Sequence, residues 1–307
     1  MPILPTGSKQ KECNHGEISE KKKCNNLGLL YASPMSLWVN IFFVIPLLII
    51  ILFSFLKPGL YGGVIWEFSL QAYKELTNPN LVNIAFHTTI ISIVATVITT
   101  VIAVPCGYCV ARSRHQTFLL LLIIIPFWTN FLIRVFAWLN ILGNDGFFNS
   151  LLIRLGIIDE PIRFLYNQGA VILVLVYMYL PYAILPLFSS IDKFDFSLLE
   201  AARDLGASKT TAVFRILLPN IKGGIYTSVM FTFIPSFGSY AVPLLVGGNE
   251  SYMLGNVIAD QLLKRRNWPA ASAISMVLTL ATVVGVIIML TVQKKEAEKN
   301  DKNRKIK

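Results

Sequence analysis

The sequence predicts an all-α integral membrane protein of six spans. Three observations carry that prediction. Mean hydropathy is +0.61, with 54% hydrophobic residues. Only 14% of the 307 residues are charged, where a soluble domain carries about a quarter. Finally, six apolar runs each exceed the roughly 20 residues a helix needs to cross about 30 Å of hydrocarbon. Five contain no formal charge: Met35 to Leu56, Thr88 to Ala111, Gly169 to Ile191, Gly223 to Val246 and Trp268 to Val292. The sixth, Thr117 to Leu142, contains Arg134.

Taken in chain order, residues 1–33 form a polar, Lys-rich tail, residues 34–293 the six-span domain, and residues 294–307 a basic tail. The first run is much longer than a signal-peptide core of about 7–15 residues, so it reads as a retained span. Its flanking tail reads as solvated. The C-terminal tail lacks apolar periodicity and reads as disordered. Cationic loops are retained in the cytoplasm. With the N-terminus inside, nineteen of the 27 Lys and Arg residues fall on that side and seven outside. Both termini and the 192–222 loop are therefore expected in the cytoplasm. Between the third and fourth spans, Asn144-Asp145-Gly146 and the stretch Asn149 to Gly156 suggest a turn and a short amphipathic segment at the outer surface.

The net charge of +10 and pI of about 9.4 do not point to nucleic acid. The excess flanks the spans, where topology and anionic lipid account for it. Cys106 and Cys109 form a C-x-x-C inside a span without a second ligand pair, so they read as packing residues and no metal site is expected. Only three histidines occur, and no catalytic pattern accompanies them. Gly206-Ala207-Ser208-Lys209-Thr210 resembles the end of a phosphate loop, but Ser208 stands where a glycine is needed and no strand precedes it. No catalytic residue is assigned and no cofactor is expected on this chain.

The loop 192–222 contains the most informative stretch, EAARDLGASKTTAVFRILLP at 200–219. Ser197 and Glu200 have capping-box spacing, and Leu198, Ala201, Ala202 and Leu205 follow at helical intervals. Gly206 offers a stop, a second helix fits Ser208 to Leu217, and Pro219 ends it. The product is a helix-turn-helix elbow; a short interfacial helix lying on lipid fits the same pattern.

Glu200, Ala201, Ala202, Gly206, Ile216, Leu218 and Pro219 occupy every fixed position of the E-A-A-x-x-x-G…I-x-L-P signature of permease subunits of binding-protein-dependent ABC importers, which the chain resembles over roughly residues 35–292. The resemblance implies a type I importer permease whose elbow is a coupling helix seated on a separate ATPase subunit, with those seven residues as docking candidates. It also implies a homologous permease partner, two ATPase subunits that carry ATP and Mg, an extracytoplasmic binding protein and a bacterial inner-membrane location. Pro126 to Asn130 with Arg134 and Trp138, Phe233 to Gly238, Pro243 with Gly247-Gly248, and Asn267-Trp268-Pro269 with Ser272 to Ile274 resemble the spermidine/putrescine permeases, specifically the subunit usually encoded first of the pair. One departure is Gly238-Ser239-Tyr240, where Gly-Glu-Tyr or Gly-Glu-Phe is common. The 144–156 segment would meet the binding protein, or pack the bundle as a lid.

Seven residues are substrate-pathway candidates: Arg134, Trp138, Pro235, Phe237, Gly238, Ser239 and Tyr240. An intramembrane arginine faces protein or a water-filled cavity; snorkelling outward and pairing with Asp145 are its structural alternatives. Pro235, Gly238 and Pro243 interrupt the fifth span, and freed carbonyls with Phe237 and Tyr240 would line a polar, aromatic path. Kinking for packing is the other reading. Two further functions stay open: a permease for ferric iron, sulfate or another organic cation, and a stand-alone secondary transporter. The latter is disfavoured by the lack of an intramembrane acidic relay or internal repeat.

Overall fold

The computed structural model describes residues 33–248 and 251–305, so the predicted N-terminal tail lies outside the described residues up to Ser33. The first helix, α1, is Ser33–Ser54, and its apolar window is entirely unburied. A helix whose residues are apolar all round is suited to hydrocarbon rather than water. Its π turn, Asn40–Val44, directs the Ile45 amide to the Asn40 carbonyl.

The all-α expectation needs one amendment. Leu56–Pro58 (β1) and Val64–Phe68 (β2) pair antiparallel, with Lys57 opposite Ile65 and a bulge between Leu56 and Lys57. The β-branched and aromatic run Val-Ile-Trp-Glu-Phe favours this, and Lys57 Nζ joins Glu67 across the hairpin at 3.1 Å. The short α2, Gln71–Leu76, brings the Tyr73 hydroxyl within 2.8 Å of Ser54 Oγ and 3.0 Å of Met276 Sδ.

Helix α3, Pro79–Ala111, starts with Asn78 accepting the Asn80 amide and Pro79 in the first turn, where a missing N–H costs nothing. It continues through Pro105. Its buried stripe includes Thr88, Ser92, Thr96 and Thr99; the Thr96 and Thr99 hydroxyls donate to carbonyls four residues back at 2.7 Å. Such back-bonding satisfies hydroxyls that have no water to bond in a membrane interior.

The third predicted span is not one straight helix. Gln116–Ile124 (α4) runs into a 3-10 turn, Ile125–Trp128, and turns through 90° into α5, Phe131–Leu142, and α6, Phe147–Arg154. The corner is built by Pro126-Phe127-Trp128-Thr129-Asn130: Thr129 Oγ1 donates to the Pro126 carbonyl at 2.6 Å, and Asn130 caps α5 by accepting the Leu132 amide at 2.8 Å. Hydropathy averaging cannot see a cap inside an apolar run. Beyond it, fully buried Asn149 fastens the segment, donating to the Gly143 and Ile162 carbonyls and accepting the Ile162 amide.

Helix α7, Gln168–Asp192, is capped by Asn167. The elbow helix α8, Ser197–Asp204, and α9, Lys209–Ala212, come next, followed by a π turn, Val213–Leu217, and the turn Leu218–Asn220. Then come α10, Lys222–Phe237, a π turn at Pro243–Gly247, α11, Leu254–Ala259, with a π turn at Asp260–Lys264, and α12, Trp268–Lys305. The fifth predicted span therefore loses its α-helix at Phe237. Its 16 residues reach ~24 Å, short of a ~30 Å core. Conversely, α12 runs on through the C-terminal stretch expected to be disordered. Lys, Glu, Gln and Asn extend an existing helix without a nucleation cost. Among the described residues four helices are long and apolar enough to cross a membrane, or five if the bent pair counts as one span.

Helices α3, α7 and α10 pack on one another and carry the core. One cluster gathers Ile91, Ala95, Val135, Val171, Val174, Leu175, Met178, Val242 and Val246. A second, around Ala103, Ala111, Ala183, Ile184, Leu187 and Ile191, incorporates Leu199, Ala212, Leu217 and Ile221 from the elbow.

Candidate functional site

The elbow is clamped to α3 and α7 by its buried face. Leu217 and Ile221 are 1% exposed, and burying each such side chain is worth about 1.5–3 kcal/mol. Phe196 adds an edge contact with Tyr108 at 6.1 Å and takes the Arg112 guanidinium over its ring at 5.2 Å. Entry to α8 differs from the expected capping box. The Glu200 amide, which the Ser197 hydroxyl would take in such a box, goes to the Phe196 carbonyl at 3.3 Å, and the Asp195 carboxylate accepts the Ser197 amide at 3.0 Å. The Ser197 hydroxyl and amide together hold the Asp195 carboxyl below the usual range.

The stop at Gly206 is as expected. Its φ is +89°; its amide donates to the Arg203 carbonyl and the Ala207 amide to the Ala202 carbonyl, closing a Schellman turn. Ser208 then caps α9 by accepting the Thr211 amide. Pro219, expected to end the second helix, does not. The π turn sends the Leu218 amide to the Val213 carbonyl, and Pro219 sits in the first turn of Leu218–Asn220, where it needs no N–H.

The residues of α8 at helical intervals do not share one environment. Leu199 is the buried residue of α8 and Ala202 packs against the same cluster, whereas Leu198, Ala201 and Leu205 face outward, Leu205 at 89% exposure. The signature residues thus divide. Glu200, Ala201, Gly206 and Pro219 are exposed, while Ala202, Ile216 and Leu218 pack against the cluster that holds the elbow. Of the residues at helical intervals, Ala202 alone turns toward the cluster.

Toward the other end of α7, aromatic side chains from three elements converge. Trp138 meets Tyr177 edge-on at 5.3 Å, and Phe127 meets Tyr177 at 6.5 Å and Tyr182 at 6.0 Å. Tyr179 lies 6.3 Å from Tyr182 and donates to the Pro235 carbonyl at 3.1 Å. Arg134 faces into this group: its guanidinium carbon sits 4.5 Å from the Phe127 centroid, with Nε and Nη1 buried and unpartnered. A ring face offsets part of the cost of a desolvated cation. No ion pair between Arg134 and Asp145 is present among the described residues.

The fifth-span break contributes less to this group than expected. The Pro235 carbonyl is taken by Tyr179, and the Tyr240 carbonyl by Asn256 Nδ2 at 3.1 Å and the Leu244 amide. The start of α11 crosses the break so closely that a Cβ on Gly255 would stand 2.5 Å from the Ser239 carbonyl oxygen. The Pro235 and Tyr240 carbonyls are therefore not free. Phe237, 7% exposed, stacks on Phe233 and packs with Leu254, Val257 and Ile274, so it belongs to a core rather than a path. Gly238 ends α10, with its amide on the Ile234 carbonyl. Tyr240 is 40% exposed, while Ser239 is buried. The structure thus groups Arg134, Trp138 and Pro235 through Phe127 and tyrosines 177, 179 and 182. Those tyrosines were legible as polar tips within an apolar run.

Residues 100–296 match the model of a family described as the binding-protein-dependent transport system inner membrane component. The chain belongs to that family. This inner-membrane component is 38% identical over 255 residues to the spermidine/putrescine transport system permease protein PotB of Escherichia coli (strain K12), covering 82% of this chain and 92% of that protein. The Haemophilus influenzae PotB is 37% identical over 253 residues, covering 82% and 88%. Its fold is also that of a chain in a bacterial ABC transporter importing the acidic polysaccharide alginate, at TM-score 0.71 and 16% identity, with 91% and 99% covered. The chain is a multi-pass permease subunit of an ABC importer.

Proposed function

We propose that this permease is the non-catalytic half-pore of a spermidine/putrescine importer, paired with a homologous permease, driven by two ATPase subunits and fed by an extracytoplasmic binding protein. The solute reading rests on the PotB relatives. The bent pair and the α10 to Pro243–Gly247 segment each make one crossing, giving six passes with both termini in the cytoplasm. The elbow is the coupling helix. The observation that carries this role is the outward apolar stripe Leu198, Ala201 and Leu205, on a helix whose opposite face is locked to α3 and α7. A helix offering apolar residues at such spacing suits a groove on a partner.

ATP and Mg stay in the ATPase subunits, and this chain contributes no covalent chemistry. When the ATPases close, the elbow moves with them, and α3 and α7 carry the displacement to the aromatic group around Tyr179, alternating its access between the two sides. Its rings offer faces to alkylammonium groups without a fixed negative charge. The test is uptake by the reconstituted importer. Labelled spermidine should accumulate with ATP, unlabelled putrescine should compete, and sulfate and ferric iron should not. Leu205→Asp should abolish ATPase co-purification while the permease stays in the membrane. Full uptake by that variant would remove the docking role.

A further inference from the structure

At the end of α3 far from the elbow lies a cleft of about 440 Å³, lined by parts of α2, α3, α11 and α12. Its walls carry two carboxylates, Glu75 and Asp260, against one guanidinium, Arg265. Asp260 is fully engaged: Oδ2 accepts the Tyr252 hydroxyl and Oδ1 the Lys264 ammonium at 2.8 Å. Lys264 and Tyr252 hold its carboxyl below the usual range. Beside it Gln261, 9% exposed, also lines the cleft, and its Oε1 is buried without a hydrogen-bond partner. A buried acceptor left unmet calls for a donor.

The Lys264 side chain is 72% exposed, and an ion pair so open to water is weak and exchangeable. It shows what Asp260 accepts: an ammonium.

We propose that this cleft is a binding subsite for a linear organic polyammonium ion. One ammonium displaces Lys264 from Asp260 and, as the Gln261 amide turns into the cleft, donates to its Oε1, while Glu75 serves a second. The proposal rests on the reading that the cargo is an amine-bearing cation. It adds a station at the end of the permease opposite the elbow, where cargo arrives before the aromatic group.

The test uses the assembled permease–ATPase complex in nanodiscs without binding protein, measuring equilibrium binding of labelled spermidine. Gln261→Leu and Asp260→Asn should each weaken binding about tenfold, the scale of one charge-assisted hydrogen bond. Lys264→Ala should tighten it severalfold by removing the internal competitor, a change that misfolding cannot produce. A neutral diol of matching length should not compete. Absence of saturable binding by the wild type, or unchanged binding in Lys264→Ala or Gln261→Leu, overturns the cleft. Failure of the wild-type importer with its binding protein to take up spermidine overturns the reading of the cargo instead, whatever the cleft variants do.

Discussion

Gly206 allows a substitution series in which backbone strain is isolated from steric clash. Its φ of +89° is a conformation that side-chain-bearing residues rarely adopt, yet nothing lies within 4 Å of where a Cβ would stand. The penalty for adding a side chain is therefore conformational alone. Alanine there should cost about 1–2 kcal/mol, which lowers the population of the correctly turned elbow by a factor of about 5–30. Asparagine, which tolerates left-handed backbone, should cost less, and valine, β-branched, should cost most. The assay is ATP-driven uptake together with the fraction of ATPase that co-purifies, measured for Gly206→Asn, Gly206→Ala and Gly206→Val at equal membrane abundance. Both readouts should fall in that order. If asparagine performs as badly as valine, side-chain bulk at the docking surface governs the outcome and the strain argument is wrong.

Three further outcomes are expected. Leu217→Ala empties a site that is 1% exposed and should destabilise the elbow seat by about 2–5 kcal/mol; limited proteolysis should then cut between residues 192 and 222 while the spans stay protected. Tyr179→Phe leaves the Pro235 carbonyl without its hydroxyl donor, a loss of about 1–3 kcal/mol that should lower the melting temperature of the detergent-purified permease; an unchanged melting curve would mean that this bond contributes nothing. Arg134→Met removes two buried, unpartnered donor nitrogens, so thermal stability should hold or rise, and a marked drop would reveal a partner for the guanidinium.

The sequence made the long helices legible because each is a continuous apolar run whose ends carry readable signals, such as Asn78 before Pro79 and Asn167 before Gln168. It misled where tertiary context decides. The Asn130 cap turns one apolar run through 90°, and α11 lies across the Gly238–Tyr240 break, where Asn256 takes the Tyr240 carbonyl. The elbow's existence and its glycine stop were readable, but its phase was not. Leu198 and Leu199 are adjacent and chemically alike, so only the packing partners on α3 and α7 decide which one is buried. The hairpin after α1 is hard to read because its strands are only three and five residues long and adjoin a strong apolar run. Tyr177, Tyr179 and Tyr182 carry neither charge nor motif, and their group is held by ring edges and one hydroxyl, which only the packing reveals.

Helix α3 is unbroken for 33 residues, a rod of ~50 Å. At one end the Thr88 hydroxyl accepts the Leu254 amide at 3.0 Å, and at the other Ala111 is packed in the cluster that holds the elbow. A rod so fixed at both ends makes two remote surfaces answerable to one inheritance: a lesion in the elbow is correctable at the opposite end of α3. Spontaneous revertants of a mildly uncoupled elbow variant should therefore include changes around Thr88 and Leu254, far from the original defect and silent in the parent background.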